Sequence, residues 1–167
     1  MSYLHAVAAA YVPEDVARDL IDSNRYMALG TVDRDGRPRV SPVYYAPDGY
    51  STVYWISSPD AQHSANLAER PDISMVIFDS TAPIGSGRAV YLKARGDQVP
   101  NDELDQVVDV ACRSRFPEQR LFPHEELRPP ARLRLYRARV TEHAIHVPGR
   151  DPDFGKGIDH RMVVSLS

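Results

Sequence analysis

Alternating apolar and polar positions recur along most of the chain, and this period of two predicts strands rather than long helices. Turn residues separate several of these stretches, most clearly at Asp35-Gly36 and at Pro47-Asp48-Gly49. Strands that follow one another through such short turns pair in an antiparallel manner. The predicted strands span residues 27–32, 37–45, 52–57, 73–79, 88–99, 132–142, 144–147 and 160–164.

Three segments show the period of an amphipathic helix instead. The first runs from Pro13 to about Ser23, and the second runs from an N-cap at Ser58 to about Arg70, just before a proline. The third follows Asn101, and its apolar face comprises Leu104, Val107, Val108 and Ala111. Many strands with two or three helices predict a mainly β chain, an antiparallel β-barrel with peripheral α-helices.

Two of the predicted strands have irregular patterns. Residues 73–79 are almost continuously apolar, which predicts that this strand is buried on both faces. Along residues 132–142 the apolar positions change phase, and a β-bulge near Tyr136 explains the change.

Length and composition narrow the class of protein. With 167 residues, one domain over residues 1–167 is expected. The formal net charge of -3 and the pI near 6.0 argue against a nucleic-acid partner, and no apolar run reaches the ~20 residues of a membrane span. The single cysteine, Cys112, has no partner for an internal disulfide, so a cytoplasmic location is expected.

The predicted strand of residues 37–45 should have an open edge. Pro38 and Pro42 cannot donate to a sheet ladder, so one edge of this strand should be incompletely paired. Its free backbone groups need partners, and a flat heterocycle with donors and acceptors along its rim is one such partner. The alternative is an ordinary edge strand whose prolines prevent pairing with another chain.

Ser57-Ser58 and the helix start after them form a second candidate element. Free N–H groups and the positive end of the helix dipole attract phosphate at such a place. Simple capping by Ser58 is the alternative, and it needs no ligand. Further along the same helix, Asn66-Leu67 suit packing better than catalysis, and Trp55 and Tyr91 suit a core or an interface.

The order of these elements resembles the flavin-binding split β-barrel proteins related to pyridoxamine 5'-phosphate oxidase. The resemblance rests on residues 27–45 and on residues 53–68, and it covers roughly residues 14 to 100 well. It implies a split barrel, a homodimer and an FMN site at the subunit interface. It places these positions against the cofactor: Arg39, Val40, Ser41, Pro42, Val43, Ile56, Ser57, Gln62, His63, Ala89 and Val90. Arg161 could reach a partner subunit's cofactor, as C-terminal arginines do in some relatives.

Several positions depart from the family pattern. Gln62 and His63 stand where many relatives carry an arginine–lysine pair for the phosphate, and Tyr44 stands where the oxidase itself has a lysine. Arg39 remains as the phosphate contact, so we expect modest cofactor affinity or a different cofactor. His63 also suits a plain surface histidine. The arginine-x-histidine substrate motif and the C-terminal signature of the oxidase are not recognisable, so this chain is not expected to be that enzyme.

Four arginines alternate along the predicted strand of residues 132–142. Alternating charges on a strand are typical of a solvated face. A subunit interface is the second interpretation, because arginine is enriched there, and the tail of a polyanionic cofactor is the third. The four residues are Arg132, Arg134, Arg137 and Arg139.

No nucleophilic triad or pair of catalytic carboxylates is recognisable, so no catalytic residue is assigned. His143 and His146 lie three apart in a strand-like segment, so they face opposite sides and no metal pair is expected. Flavin chemistry fits this pattern, because the cofactor carries the hydride and the protein binds and orients it. We expect an FMN-dependent oxidoreductase acting on a small conjugated substrate. Two alternatives remain open: a reductase that uses 8-hydroxy-5-deazaflavin, and a non-catalytic flavin- or haem-binding carrier or sensor.

Overall fold

The structure, a computed structural model, describes residues 12–113 and 123–166, without the side chains of Val110, Cys112 and Arg113. The helices are α1 (Pro13–Ser23), α2 (Gln62–Glu69) and α3 (Leu104–Arg113), with a short 3₁₀ turn at His124–Leu127. The strands are β1 (Tyr26–Val32), β2 (Pro38–Tyr44), β3 (Ala46–Asp48), β4 (Thr52–Ser57), β5 (Asp72–Phe78), β6 (Ala89–Gln98), β7 (Arg134–Val147) and β8 (His160–Val164).

All the strands belong to one antiparallel sheet with the order β2-β1-β5-β6-β7-β4-β3. The long strand β7 pairs with β4 through its first half and with β8 through its second half. The sheet curls until β2 contacts β4. These features confirm the predicted mainly β fold, a split barrel with peripheral helices.

The inner face of the sheet forms the main core. α1 packs against it through Ala17, Leu20 and Ile21, which lie on one side of the helix. Pro13 and two acids occupy the first turn of α1, where a missing N–H costs nothing and negative charge meets the helix dipole. The inner face includes Met27, Leu29, Val53, Trp55, Met75, Ile77, Val90, Leu92, Ala138 and Ile145, all nearly inaccessible.

A second, smaller core covers the other side of β4 and the start of β7. Leu104, Val108 and Ala111 of α3 pack there against Tyr54 and Leu135, as the predicted helical face requires. Because both faces of β7 are covered in this region, consecutive residues from Leu135 to Ala138 are all buried. This double burial produces the phase change near Tyr136, so the bulge predicted there is wrong.

The bulge lies further along β7, at Thr141. Lys93 pairs with Glu142, whereas Ala94 pairs with Val140, so Thr141 is the extra residue. Its hydroxyl donates to the Lys93 carbonyl at 3.1 Å, which fixes the bulge by a local hydrogen bond.

One predicted turn and one predicted helix start also differ from the structure. Pro47 lies within β3, and the chain turns at Gly49, whose φ of 53° suits glycine. α2 begins at Gln62 rather than after Ser58. The Ser58 hydroxyl instead accepts the Asp60 N–H at 3.1 Å and forms a separate turn before the helix.

β5 is buried on one face only, so the prediction of burial on both faces is wrong. Ile73, Met75 and Ile77 point into the core, whereas Val76 is half-buried and Phe78 is exposed on the other side. This second side, which we call the outer face, continues over β2, β1, β6, β8 and the second half of β7. The sequence of residues 73–79 is almost continuously apolar because Val76 and Phe78 on the outer face are apolar as well as the residues that face the core.

Arg137 is a buried ionic side chain rather than part of a solvated face. It binds Asp97, with Nη2 and Oδ2 2.9 Å apart, and it also pairs with Glu103. These hydrogen bonds raise the pKa of Arg137 above its usual value, and the hydrogen bond to Glu103 has the largest effect. Arg139 is exposed and shares Asp97 at 2.8 Å. The solvated-face interpretation is therefore wrong for Arg137, whose charge stabilises the contact between β6, β7 and the segment before α3.

Candidate functional site

β2 is an edge strand, as its two prolines predict. Beyond the two ends of β2, Tyr45 N–H donates to the Arg25 carbonyl at 3.1 Å, and Asp33 N–H donates to the Arg37 carbonyl at 2.8 Å. The backbone N–H and carbonyl groups of the odd-numbered residues of β2 therefore point towards β1. Those of the even-numbered residues point away from it. Pro38 and Pro42 are even-numbered and lose no ladder bond, while the N–H and carbonyl of Val40 face the open edge.

A row of apolar positions crosses the outer face from strand to strand. Each member pairs with the next in register, so the side chains lie side by side over six strands. We call this set the outer row: Pro42, Ala28, Val76, Tyr91, Ala144 and Val163. Val163 keeps 65% of its surface exposed, and Val40 beside the row keeps 71%. Pro42 is also exposed, Ala28, Val76 and Tyr91 are half-buried, and Ala144 is buried. Exposed apolar residues grouped in this way are typical of an interaction surface.

Two adjoining depressions of about 430 and 520 Å³ lie on the outer face. Both are bordered by Gly30 and Val40, and the larger one is also bordered by Arg39. Gly30 presents no side chain to this face, and a Cβ there would lie 3.0 Å from the Ser74 carbonyl oxygen. The small residue therefore keeps the floor of the depressions flat.

Charged side chains stand at the far side of the same depressions. The Arg161 guanidinium lies over the Tyr91 ring, 3.7 Å from its centroid. Lys93 and Glu142 form an ion pair at 2.9 Å on neighbouring strands. Arg161 thus belongs to the outer face, some strands away from Arg39.

A compact polar cluster lies where β1, β2, β4 and α2 meet. Arg39 donates two parallel hydrogen bonds to Asp33, Nε to Oδ1 at 2.7 Å and Nη2 to Oδ2 at 2.9 Å. Asn66, which is buried, donates to Asp33 Oδ1 at 2.6 Å and to Thr31 Oγ1 at 3.1 Å. The hydrogen bonds from Arg39 and then from Asn66 lower the pKa of Asp33 to about 2, so its carboxylate is charged at neutral pH.

Ser57 and His63 complete this polar cluster, which we define as Asp33, Arg39, Ser57, His63 and Asn66. Ser57 Oγ and His63 Nε2 lie 2.8 Å apart, which joins the end of β4 to the first turn of α2. Burial, and then the nearby charge of Arg39, lower the pKa of His63 below its usual value. His63 is therefore neutral at pH 7, and the interpretation as a plain surface histidine is wrong.

The candidate cofactor residues fall into separate places. Arg39, Ser57 and His63 come together in the polar cluster, and Gln62 joins it by donating to Asn66 at 2.8 Å. On the outer face, or exposed beside it, lie Val40, Pro42, Ala89 and Arg161. Ser41 is half-buried on β2. Val43 and Val90 belong to the main core, and Ile56 packs against the second core.

Two members of the polar cluster, Asp33 and Asn66, were not predicted as site residues in the sequence analysis. Packing is confirmed for Leu67, but Asn66 instead holds Asp33 and Thr31 through hydrogen bonds. Asp33 follows β1 directly and resembles an ordinary turn residue. A buried polar residue within an apolar helix face was the one available signal for Asn66.

The fold, the open edge and the polar cluster agree with one family. A sequence model described as pyridoxamine 5'-phosphate oxidase matches residues 13–146, which is most of the chain. The chain belongs to the pyridoxamine 5'-phosphate oxidase family. This membership confirms the resemblance and covers every member of the polar cluster; the oxidase's own substrate motif remains unrecognisable in the sequence.

Solved structures of low sequence identity share the fold. A putative 5-nitroimidazole antibiotic resistance protein from Bacteroides thetaiotaomicron is 13% identical with a TM-score of 0.66, over 78% of this chain and 81% of that one. The haem storage protein HutZ from Vibrio cholerae is 20% identical with a TM-score of 0.64, over 87% and 99%. An F420 reductase is 21% identical with a TM-score of 0.55, over 82% and 98%. No curated protein matches the chain in sequence.

Two further findings concern the described residues alone. Within 12–113 and 123–166, no helix is long and apolar enough to cross a membrane. The same residues contain no cluster of three or more histidine, cysteine, aspartate or glutamate side chains suited to a metal ion.

Proposed function

We propose that this chain is a flavin-dependent oxidoreductase that binds FMN between two copies of itself. In this proposal it moves a hydride or electrons between a reduced cofactor and a small conjugated substrate in the cytoplasm. The juxtaposition of the open edge of β2 with the polar cluster carries the proposal. Val40 offers backbone groups along that edge, and the adjacent Arg39 offers the guanidinium that a phosphate needs.

The outer row supports the homodimer. Five of the six apolar positions stay at least partly in contact with water in a single copy, and a second copy presenting the same face would cover them. A two-fold arrangement makes one patch meet itself, so no further surface is required. Arg161 on the outer face would then lie near the partner's copy of the depressions.

The ring system of a flavin fits the residues around the depressions. Gly30, Ala28 and Pro42 present little side-chain bulk, so a flat heterocycle can approach the backbone there. The N–H of Val40 can donate to an acceptor on the rim of such a ring, and its carbonyl can accept from a donor. These groups bind and orient the ring without needing a charged side chain.

The phosphate of FMN fits less well. Arg39 is the cation of the polar cluster, and Asp33 already engages its Nε and one of its two Nη nitrogens. His63 is neutral, and Gln62 carries no charge. The ring site is thus better developed than the phosphate site.

A bound flavin supplies the hydride or electron transfer itself. The protein's part is to hold the ring at the β2 edge, to exclude water by pairing outer faces and to fix the neutral His63 through Ser57. Because the pKa of His63 is lowered, its imidazole adds no positive charge to the site at pH 7.

An absorbance titration of the purified protein with FMN, run in parallel with the deazaflavin and with haem, tests the proposal. We expect saturable FMN binding at one equivalent per chain, followed by reduction by a nicotinamide donor and turnover with a conjugated acceptor. Binding without turnover would identify a carrier or sensor instead. Failure to bind any of the three would contradict the proposal.

A deazaflavin-dependent reductase is the second candidate, and the pairing of Arg39 with Asp33 favours it. A site whose arginine is already neutralised suits a cofactor that does not end in a phosphate monoester at that place. Saturation by the deazaflavin with no detectable FMN binding would support this candidate over the first.

A further inference from the structure

Asp33 occupies the Nε/Nη2 side of the Arg39 guanidinium. A guanidinium can bind a carboxylate or a phosphate side-on, through Nε and Nη2, and two ligands cannot share that pair of donors. In this chain the carboxylate contacts both donors, Nε at 2.7 Å and Nη2 at 2.9 Å. A phosphate can take this side-on pair of Arg39 only after Asp33 has moved away, and otherwise it meets the Nη1 end of a guanidinium that is already paired with a carboxylate.

Asp33 is held in place by more than Arg39. Asn66 donates to its Oδ1 at 2.6 Å from a buried position on α2. The Asp33 backbone is fixed as well, because its N–H bonds to the Arg37 carbonyl and its carbonyl accepts the Gly36 N–H, both at 2.8 Å. The carboxylate is therefore anchored beside the arginine rather than meeting it by chance.

Displacement would also leave two negative groups together. If a phosphate took the Arg39 fork, the anchored Asp33 carboxylate would stay close to it and would repel it. His63 and Gln62 beside Arg39 offer no positive charge in compensation. The penalty is greatest for a doubly charged phosphate monoester.

We propose that Asp33 determines cofactor selectivity at this site by competing with a terminal phosphate monoester for Arg39. The inference rests on the proposed function, in that the ligand so selected is a flavin-type cofactor. Asp33 disfavours FMN relative to the same ring system without the phosphate.

Comparing FMN with riboflavin isolates the contribution of the phosphate. For the wild-type protein we expect the two dissociation constants to agree within about threefold, because Arg39 contributes little to either ligand. For Asp33→Asn, which keeps an acceptor for Asn66, we expect FMN to bind about tenfold more tightly with riboflavin unchanged. Fluorescence quenching of each flavin measures both constants.

Asp35→Asn is the matched control. It removes one negative charge from the same turn, but Asp35 pairs with Arg37 rather than with Arg39. The FMN-to-riboflavin ratio should change little in this variant. The double variant Asp33→Asn/Arg39→Gln should return the ratio to that of the wild type, because the freed guanidinium is then gone.

Two results would overturn the inference. A wild-type protein that prefers FMN over riboflavin by tenfold or more does not have its arginine blocked. An unchanged ratio in Asp33→Asn would equally show that Asp33 does not compete with the phosphate, provided that thermal unfolding shows a folded variant. Asp33→Ser serves as the second variant if the asparagine variant does not fold.

The inference and the proposed function can fail separately. If no flavin binds any variant, the proposed function fails, and calorimetric titration with inorganic phosphate then decides about Asp33 alone. Tighter phosphate binding by Asp33→Asn than by the wild type, lost in the double variant, supports the competition. Equal phosphate binding by the wild type and Asp33→Asn overturns it.

Discussion

The outer row and the polar cluster come together at β1 and β2, yet they differ in how their side chains are already engaged. The outer row is apolar, continuous over six strands and partly exposed in a single copy, most of all at Pro42 and Val163. The polar cluster is charged, but its members already bind one another. A ligand or partner can contact the exposed members of the outer row without breaking hydrogen bonds among them, although Arg161 already lies over Tyr91. At the polar cluster it has to break existing hydrogen bonds first.

A charge introduced in the middle of the outer row tests whether this row forms the dimer interface. Of the changes considered, it should have the largest effect. Val76→Lys places an ammonium group where the proposed dimer is dry, so we expect the dimer to dissociate, with a dissociation constant raised by about a hundredfold or more. Sedimentation at several protein concentrations measures this change.

Ile158→Lys is the control for that experiment. Ile158 is also a highly exposed apolar residue, at 73%, but it lies in the loop before β8 and outside the outer row. Its variant should keep the oligomeric state of the wild type. Equal behaviour of the two variants would break the assignment of the outer row as the interface.

Removing the buried amide of the polar cluster should have a moderate effect. Asn66→Ala leaves the nearly inaccessible Thr31 hydroxyl without its donor and frees Asp33, so we expect about 1–2 kcal/mol lower stability. The midpoint of urea unfolding reports this at constant m-value. Gln62→Ala, which removes a neighbour of the same amide, should shift the midpoint less.

A single protonation should have the smallest effect. The folded-state pKa of His63 lies below its unfolded value near 6.5, so the unfolded chain binds the proton first as pH falls. The free energy of unfolding should therefore decline as pH falls below about 6.5, and this decline should end once the pH is below the folded-state pKa of His63. Asp33, with its pKa of about 2, stays ionised in this window, and Arg39 stays charged.

His63→Gln should reduce this decline without abolishing it. Burial also lowers the pKa of His143, whose Nε2 lies 2.9 Å from the Tyr50 carbonyl oxygen, so part of the pH dependence remains. Unfolding midpoints between pH 5 and 8 for both proteins measure the difference. Identical slopes would mean that His63 is not buried beside Arg39 in solution.

The sequence predicted local structure well because local structure depends on neighbours. Pro38 and Pro42 located the edge strand, and the spacing of Leu104, Val108 and Ala111 located the face of α3. The face of β5 was mispredicted for a physical reason. An apolar side chain looks the same in a sequence whether it faces a core or an uncovered surface, so the outer row was invisible as a separate feature.

The polar cluster could be predicted only in part. Arg39, Ser57 and His63 were recognised through the family pattern, which no spacing rule would have supplied. The contact between Asp33 and Asn66 joins a turn to a helix across β2, β3 and β4 in the sequence, so it depends on the closed sheet. Neither residue carries a local pattern that specifies this partner.

The place of β7 in the sheet has a consequence for how the chain is built during synthesis. β3 and β4 emerge early, but they join the rest of the sheet only through β7, which emerges much later. Until then the first strands form two pieces that share no ladder hydrogen bonds, and the main core stays open to water. Such long-range closure slows folding and lengthens the time during which apolar strands are available for aggregation. A chain interrupted before β7 should therefore be retained by chaperones rather than fold to a smaller barrel.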